Sequence, residues 1–556
     1  MALRINFNYS SAVTQTALEA NNRLMGKSLL RLSTGLRILN AADDSAGLFI
    51  ADQLAVVSAG LEQGNRNIQT GISALQIAEN SAGQIYNKLK QIYVKAQSAA
   101  NDINDPNARA ALQREIQNLV DAIQKIGTDT EYNGLRLLDG SFQSKYIHYG
   151  PRVDQKVDVS ISDLRAISLG AYIATGQGAT SSIVSFSATG GSLSNFLNQL
   201  NTVNNGNFVL SGTSENVSIG SVTVYQGSAT PELVDAAKLA QAINSNQTLQ
   251  NEGITATASN ESVANTYTTS VVSASLNTDN DSASTFTVKL NFYIGDGSKS
   301  FTVDLATVTT TAVAGGADTV NVTTVSLSQL VNNINGQAGL AGAPITAIDD
   351  NGKLKLVTTN GETIGIEVVT QRTSGTDTVD ISVDLSQILE GGSTVTATNV
   401  STAQYSQVAK TGKIYISSPN AFSISYNGVS DNGTSANEGL NFDYSSGSQV
   451  GLQNLYSINV FTNADAEKAL MIIDMAIRKV DTVRSQIGAV MNNLQSIYDA
   501  QKVAMDNTNE AENVIRNVDF SKEMTTFTTM QIRMQSGVAM LAQANTLPQL
   551  VLQLLR

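Results

Sequence analysis

The stretch "ALEANNRLMGKSLLRLSTGL", residues 17–36, decides how this chain folds. Its large apolar residues recur at alternating steps of four and three, with Asn22 holding one place in the frame; they are Leu18, Met25, Leu29, Leu32 and Leu36. Steps of this kind place side chains along one face of an α-helix, which is the condition for a coiled coil. Because one helix cannot bury such a stripe by itself, the sequence predicts a partner helix.

The same spacing returns near the other end of the sequence. Its members are Phe527, Met530, Met534, Val538 and Leu541. We therefore expect the first and last helices to pair with each other. A two-helix hairpin still leaves its outer sides uncovered, and Leu552 and Leu555 enlarge that apolar surface. Neighbouring copies of the same chain are the natural cover, so the sequence predicts a polymer.

Three segments differ in composition and periodicity. Helical spacing of apolar residues continues through 68–99, 112–126 and 470–494, whereas the middle of the chain is rich in Thr, Ser, Gly and Val and alternates as strands do. The predicted fold class is α+β and multidomain: the N- and C-terminal segments pair into an α-helical coiled-coil core, and the central segment forms β-rich outer domains. The expected boundaries are 1–44 with 511–556 for the paired terminal helices, 45–170 with 455–510 for a helical domain with a small β element, and 171–454 for two or more β-rich domains with the internal repeat.

A hairpin and a repeat can be predicted inside the central segment. Residues 286–294 and 301–305 alternate apolar and polar side chains on either side of "GDGSKS", which predicts two strands joined by a turn. "LAQAIN" (239–244) precedes "ITA" (254–256), and "LVNNIN" (330–335) precedes "ITA" (345–347) at the same spacing. The repeat, near 217–259 and 301–368, predicts a short helix that leads into a strand in each copy.

Composition excludes several classes of function. The chain has 556 residues, a formal net charge of −13, no Cys and one His. A polyanion gains nothing from counterion release on DNA, so no nucleic-acid partner is expected. No apolar run reaches membrane-spanning length, and the first residues lack the features of a cleaved signal peptide. His148 is expected in a strand, and "DDNG" (349–352) is read as a hairpin turn rather than a calcium loop. We expect no catalytic residue, no cofactor and no metal.

Several motifs together resemble those of one protein family. "RLSTGLRILNAADDSAGLFIADQL" (31–54), "EYNGLRLLDG" (131–140) and "MLAQANTLPQLVLQLLR" (540–556) resemble bacterial flagellin. The resemblance covers roughly residues 1–170 and 455–556. It implies a structural subunit that polymerises into the extracellular flagellar filament used for swimming. In such a subunit 1–44 and 511–556 would be inner-core helices, 45–170 and 455–510 the helical outer-core domain, and 171–454 surface-exposed, variable domains. The resemblance also implies export by the flagellar type III apparatus without a cleaved signal, and export chaperone, cap and hook-associated proteins as partners.

One feature departs from the family pattern. Flagellins that the innate immune receptor detects place an Arg and, four residues later, a Leu on the long outer-core helix. The matching positions here hold Gln91 and Lys95, while Glu115 matches the family's Glu in the next helix. The resemblance therefore predicts weak recognition by that receptor.

Two alternatives remain open at this point. A hook–filament junction protein shares the terminal helices, and a low copy number in purified filaments would identify it. A secreted adhesin or enzyme carried on flagellin-like ends is less favoured, because it would need a convergent polar site in the central segment. The sequence shows no such site, and the lack of Cys together with a single His removes the commonest nucleophile and base pairs.

Overall fold

The computed structural model describes residues 8–101, 103–181, 183–199, 207–212, 221–226, 235–280, 282–313, 315–427, 440–445 and 447–554. Its helices are α1 (Tyr9–Thr34), α2 (Ser45–Ala99), α3 (Pro106–Asp129), α4 (Leu193–Gln199), α5 (Ala236–Ser245), α6 (Gln247–Asn251), α7 (Leu327–Ala341), α8 (Asn463–Arg516) and α9 (Phe520–Leu554). Two compact units result, one of Met1–Ala82, Thr130–Ser162 and Val483–Arg556, the other of Gly83–Asp129 and Asp163–Thr482.

The strands form small sheets in which every recorded pair is antiparallel. They are β1 (Glu131–Tyr132), β2 (Leu135–Arg136), β3 (Lys145–His148), β4 (Lys156–Val159), β5 (Gly170–Gly176), β6 (Asn207–Gly212), β7 (Ser221–Gln226), β8 (Thr255–Thr266), β9 (Val272–Thr278), β10 (Thr285–Ile294), β11 (Lys299–Thr311), β12 (Thr319–Thr324), β13 (Ile345–Asp350), β14 (Lys353–Thr358), β15 (Ile364–Ser374), β16 (Thr378–Asp384), β17 (Thr394–Val400), β18 (Gln404–Lys410), β19 (Lys413–Ser418), β20 (Phe422–Asn427) and β21 (Leu452–Asn454). The two largest sheets run β12-β11-β10-β15-β18 and β13-β14-β8-β19-β5-β21. The smaller ones are β17-β16-β9, β20-β6-β7, β1-β2 and β3-β4.

Long helices and two small hairpins make up the first unit. Glu79, the polar break in the heptad pattern of α2, receives a hydrogen bond of 2.9 Å from the Arg484 guanidinium of α8. At Gly64 a Cβ atom would lie 1.8 Å from the carbonyl oxygen of Tyr149, so only glycine lets the chain after β3 rest on α2. The predicted strand position of His148 is confirmed, because it ends β3.

The second unit contains α3 and the β-rich part of the chain. Helix α3 buries one face at steps of three and four, consisting of Gln113, Ile116, Val120, Ile123 and Gly127. The Gln113 side chain donates to the carbonyl of Ile458 (2.9 Å) and accepts from the N–H of Val460 (3.0 Å). A buried amide thereby satisfies the backbone that leads into α8.

The predicted hairpin is confirmed by β10 and β11. Phe292 pairs with Phe301, and their rings stack with centroids 4.9 Å apart. Every apolar residue that the alternation assigned to the inner face is buried: Phe286, Val288, Leu290, Phe292, Ile294, Phe301, Val303 and Leu305. The turn takes positive φ at Gly295 (67°) and Gly297 (81°), a conformation that glycine adopts without a steric penalty. Asn351 and Gly352 likewise form the tight turn from β13 to β14, with φ of 53° and 84°.

The two copies of the repeat share one detailed contact. Asn244, at the end of α5, donates to the carbonyl of Ala256 at 2.7 Å and accepts from its N–H at 2.8 Å. Asn335 of α7 does the same with Ala347, at 2.8 and 2.7 Å. An amide side chain has an NH₂ group that donates and a carbonyl oxygen that accepts, so it can bind both backbone polar groups of a residue at the start of a strand. In each copy this pair of bonds fixes the helix to the strand that follows it.

We expect Asn335→Ala to lower the free energy of unfolding of the β-rich unit by about 2 kcal/mol, because both backbone groups of Ala347 lose their partner. Urea unfolding followed by circular dichroism measures the change. The control is Asn333→Ala, an exposed asparagine on the same helix, which should be nearly neutral. Equal effects of the two substitutions would contradict the structural role of Asn335.

Candidate functional site

The terminal helices α1 and α9 lie antiparallel and contact each other along their length. Asn8 donates to the carbonyl of Ala544 (2.9 Å), and Asn21 donates to the carbonyl of Met530 (2.8 Å). A Cβ atom at Gly537 would lie 2.6 Å from Cδ1 of Leu18. We call this pair of helices the terminal hairpin. The residues joined by these two hydrogen bonds are more than 500 positions apart in the sequence, so the first and last helices pair as predicted.

A short backbone junction closes the hairpin. Gly35 caps α1 in the left-handed conformation (φ 74°), and its carbonyl accepts from the N–H of Val518 at 2.9 Å. The Arg37 N–H donates to the carbonyl of Arg516 at 2.7 Å. Leu36 and Asn517 form the bridge between these two bonds. The junction sets the register of the terminal hairpin, because it fixes where α9 begins relative to the end of α1.

The seam inside the terminal hairpin runs through smaller residues than the heptad pattern predicts. On α1 its members follow steps of three and four as Ser11, Thr14, Leu18, Asn21, Met25, Ser28 and Leu32, and on α9 as Phe527, Met530, Met534, Gly537, Leu541 and Ala544. The seam therefore contains Asn21 and Ser28 where the spacing predicted Asn22 and Leu29. It contains Gly537 where the spacing predicted Val538. Small side chains let the helix axes approach, which a leucine or valine at the same place would prevent.

The predicted assembly residues divide into two groups. Leu18, Met25, Leu32, Leu36, Phe527, Met530, Met534 and Leu541 are half-buried within the chain. Leu29 and Val538 are 56 % and 52 % exposed on the outside of the hairpin. The other exposed apolar side chains of the two helices include Leu24, Leu30, Met524, Ile532 and Met540. We call these seven the outer apolar face. The side chain of Leu552 and the whole of Leu555 lie outside the described residues.

The three positions of the receptor prediction lie near one another in the second unit. Lys95 on α2 forms an ion pair with Glu115 on α3, with side chains 31 % and 55 % exposed. Gln91 lies one turn earlier on α2 and is exposed. Glu115 therefore has a basic partner within its own chain, which sequence alone did not suggest.

Several titratable side chains of the second unit form hydrogen bonds with the backbone or with neighbouring side chains. Burial raises the pKa of Asp235 to about 7, and the same carboxylate caps the start of α5. Burial lowers the pKa of Lys479, which donates to the carbonyl of Ser168 at 2.8 Å. The fully buried Glu367 accepts from the Asn291 and Gln407 amides at 2.9 Å each. We interpret these three groups as structural, because they form hydrogen bonds with other parts of the folded chain.

Paired terminal helices with a surplus apolar face, joined to a β-rich central part, define a self-assembling filament subunit. Two family models agree with this class: the bacterial flagellin N-terminal helical region matches residues 5–143, and the bacterial flagellin C-terminal helical region matches residues 470–555. Among known proteins, the chain is 49% identical to the flagellins of Aquifex pyrophilus and Aquifex aeolicus, and 30% identical to the B-type flagellin of Pseudomonas aeruginosa. Each alignment covers 100% of both chains.

The chain belongs to the bacterial flagellin family. It is a structural subunit of the flagellar filament, the polymer that bacteria use for swimming. Identity over the whole length gives no support to the hook–filament junction alternative. No helix among the described residues is long and apolar enough to cross a membrane.

The seam can be tested by disulfide formation, which is clean here because the chain has no Cys of its own. We expect Leu18→Cys combined with Gly537→Cys to form an intrachain disulfide under mild oxidation of filaments, since Leu18 lies on Gly537. The matched control combines Leu18→Cys with Val538→Cys, where the second side chain points outward. Mobility on non-reducing gels measures the bond. Crosslinking of the control alone would place the seam one residue away.

Proposed function

We propose that the terminal hairpin is the assembly element of the subunit and that its outer apolar face is covered by neighbouring subunits of the filament. The observation that carries this proposal is the division of side chains just described. Polar and small residues fill much of the seam within the chain, whereas the seven large apolar residues of the outer apolar face remain exposed beside it. An apolar surface of that kind marks an interaction site on a protein that otherwise stays dissolved.

The magnitudes favour assembly by many modest contributions. Covering a side chain that is already about half-buried adds roughly 1 kcal/mol, half the value of full burial. Seven such residues would add roughly 7 kcal/mol per subunit to a two-helix hairpin that is only marginally stable in isolation. Leu552 and Leu555 remain predicted assembly residues in this proposal.

The arrangement of the chain in the filament follows the family resemblance. In this proposal 1–44 and 511–556 form the inner core, 45–170 and 455–510 the helical outer core, and 171–454 the outward β-rich domains. Export by the flagellar type III apparatus belongs to the proposal, as do an export chaperone, the cap and hook-associated proteins as partners. We further propose that the chain has no catalytic activity. Buried carboxylates such as Glu367 support this, because they are engaged in structural hydrogen bonds.

Replacing two residues of the outer apolar face tests the assembly proposal. We expect Leu29→Ser combined with Val538→Ser to raise the critical concentration for polymerisation at least tenfold, because about 2 kcal/mol of intersubunit burial is lost. Sedimentation and electron microscopy of seeded filaments measure it. The control is Leu340→Ser on α7, which is 84 % exposed but lies outside the terminal hairpin. An unchanged critical concentration in the double variant, with normal filaments, would refute the role of this face.

We also propose that this subunit activates the innate flagellin receptor weakly. Gln91 carries fewer donors than an Arg and no charge, so a receptor site built for a guanidinium loses bonds. Lys95 puts an ammonium where the family presents an apolar contact. The Lys95–Glu115 ion pair supports the proposal further, because it engages the carboxylate that matches the family's Glu.

A reporter-cell assay on the monomeric protein tests this second proposal. We expect the wild type to signal weakly and Gln91→Arg combined with Lys95→Leu to signal more strongly. The two substitutions restore the guanidinium and the apolar contact, and they remove the ion pair that engages Glu115. Lys90→Leu is the control, an exposed lysine on the same helix. Signalling by the wild type at the level of a recognised flagellin, with no gain in the double variant, would contradict the proposal.

A further inference from the structure

Three aspartates of the β-rich unit meet at one end of its sheets. Asp279 follows the last residue of β9, Asp377 precedes the first residue of β16, and Asp318 precedes the first residue of β12. Thr278 and Thr378 are antiparallel partners, so the first two aspartates leave the sheet at the same end. One carboxylate oxygen from each of the three lies within 4.8 Å of the others.

Two of these carboxylates are buried. Asp377 is 0 % exposed and Asp318 is 6 % exposed, whereas Asp279 is exposed. Asp377 accepts from the Asn280 N–H at 3.0 Å and from the Thr310 hydroxyl. The Arg372 guanidinium donates to the backbone carbonyls of residues 376 and 377, at 2.9 Å each. Within the described part of the chain, neither Asp318 nor Asp377 forms an ion pair.

One oxygen of Asp318 lacks a hydrogen-bond partner among the described residues. Oδ1 accepts from the Val313 N–H at 2.7 Å, while Oδ2 is buried and makes no hydrogen bond within the described structure. Leaving a buried carboxylate oxygen unpaired, beside two further carboxylates, is unfavourable through both lost hydration and like-charge repulsion. A cation among the three oxygens would remove both costs.

We propose that Asp279, Asp318 and Asp377 form a calcium site. Ca²⁺ binds oxygen at about 2.3–2.6 Å, so two ligand atoms on opposite sides of the ion stand roughly 5 Å apart, a span that contains the observed separations. Mg²⁺ binds at about 2.0–2.1 Å and demands near-ideal octahedral geometry, which a set spread over as much as 4.8 Å fits less well. Carboxylates from three separate loops are the hard, negatively charged ligands that Ca²⁺ prefers.

The position of the site suggests what the ion would do. It would tie the loops before β12 and β16 to the loop after β9, because each supplies one ligand. The open side at Asp279 gives the ion access from solvent. With one exposed ligand, we expect a dissociation constant of about 10⁻⁴–10⁻³ M, as in other extracellular calcium modules.

Calorimetric titration of the full-length, EDTA-stripped monomer with CaCl₂ alone tests the site, with MgCl₂ as a second arm. We expect one Ca²⁺ per chain and at least tenfold weaker binding of Mg²⁺. Hydrogen exchange followed by mass spectrometry locates the site: Ca²⁺ should slow exchange in peptides spanning 276–284, 311–320 and 374–380. No Ca²⁺ binding, equal Mg²⁺ binding, or Ca²⁺ binding that leaves these peptides unchanged would each overturn the proposal.

Matched variants complete the test. Asp279→Asn and Asp318→Asn should each weaken Ca²⁺ binding at least tenfold. Asp304→Asn should leave it unchanged, since Asp304 is an exposed carboxylate of the same unit that pairs with Lys289 at 3.3 Å. Asp279 is exposed, so its variant keeps the test decisive even if Asp318→Asn fails to fold. Wild-type affinity in Asp279→Asn would overturn the proposal.

Discussion

The pairing of α1 with α9 is the constraint on which the first unit depends. It is set by backbone groups at the junction. There the carbonyl of Gly35 accepts from the N–H of Val518, and the N–H of Arg37 donates to the carbonyl of Arg516. The left-handed cap at Gly35 ends α1 in the orientation that these bonds require. From that point the two helices run with a fixed register, and Asn8, just before α1, and Asn21, within it, donate to carbonyls of α9.

The seam and the outer apolar face have complementary roles. Close approach of the helices needs small residues, and Gly537, Ala544 and Ser28 provide it at little hydrophobic gain. Leu29 and Val538, one position away from Ser28 and Gly537, are instead exposed on the outside of the hairpin. A hairpin built in this way is specific in its register but weak in isolation, which suits a subunit that belongs to the flagellin family and becomes part of a filament.

The β-rich unit is held together by contacts of a different kind. Its apolar core lies between the inner faces of strands such as β10 and β11 and the buried side of α7. Polar groups inside it are bound to backbone at defined places, as with Asn244, Asn335 and Gln113. Among the three aspartates beside the ends of β9, β12 and β16, the buried Asp318 keeps one carboxylate oxygen without a partner in the described structure, whereas both oxygens of the buried Glu367 accept hydrogen bonds. This contrast is why the calcium proposal rests on these residues and not on Glu367.

Local patterns determined much of this structure from the sequence alone. Steps of three and four produce helices, alternation produces the β10–β11 hairpin, and Asn351 with Gly352 produces a turn, because each depends only on neighbouring residues. The fold class and the flagellin family were evident from these patterns and from the quoted motifs. Only tertiary structure decided that Gly537, rather than Val538, lies on the seam. A heptad pattern is recognised by its large apolar residues, whereas closely packed helices need small residues where they touch. Tertiary structure alone also brought Asp279, Asp318 and Asp377 together, because long chain segments separate them and only strand pairing determines which loops meet.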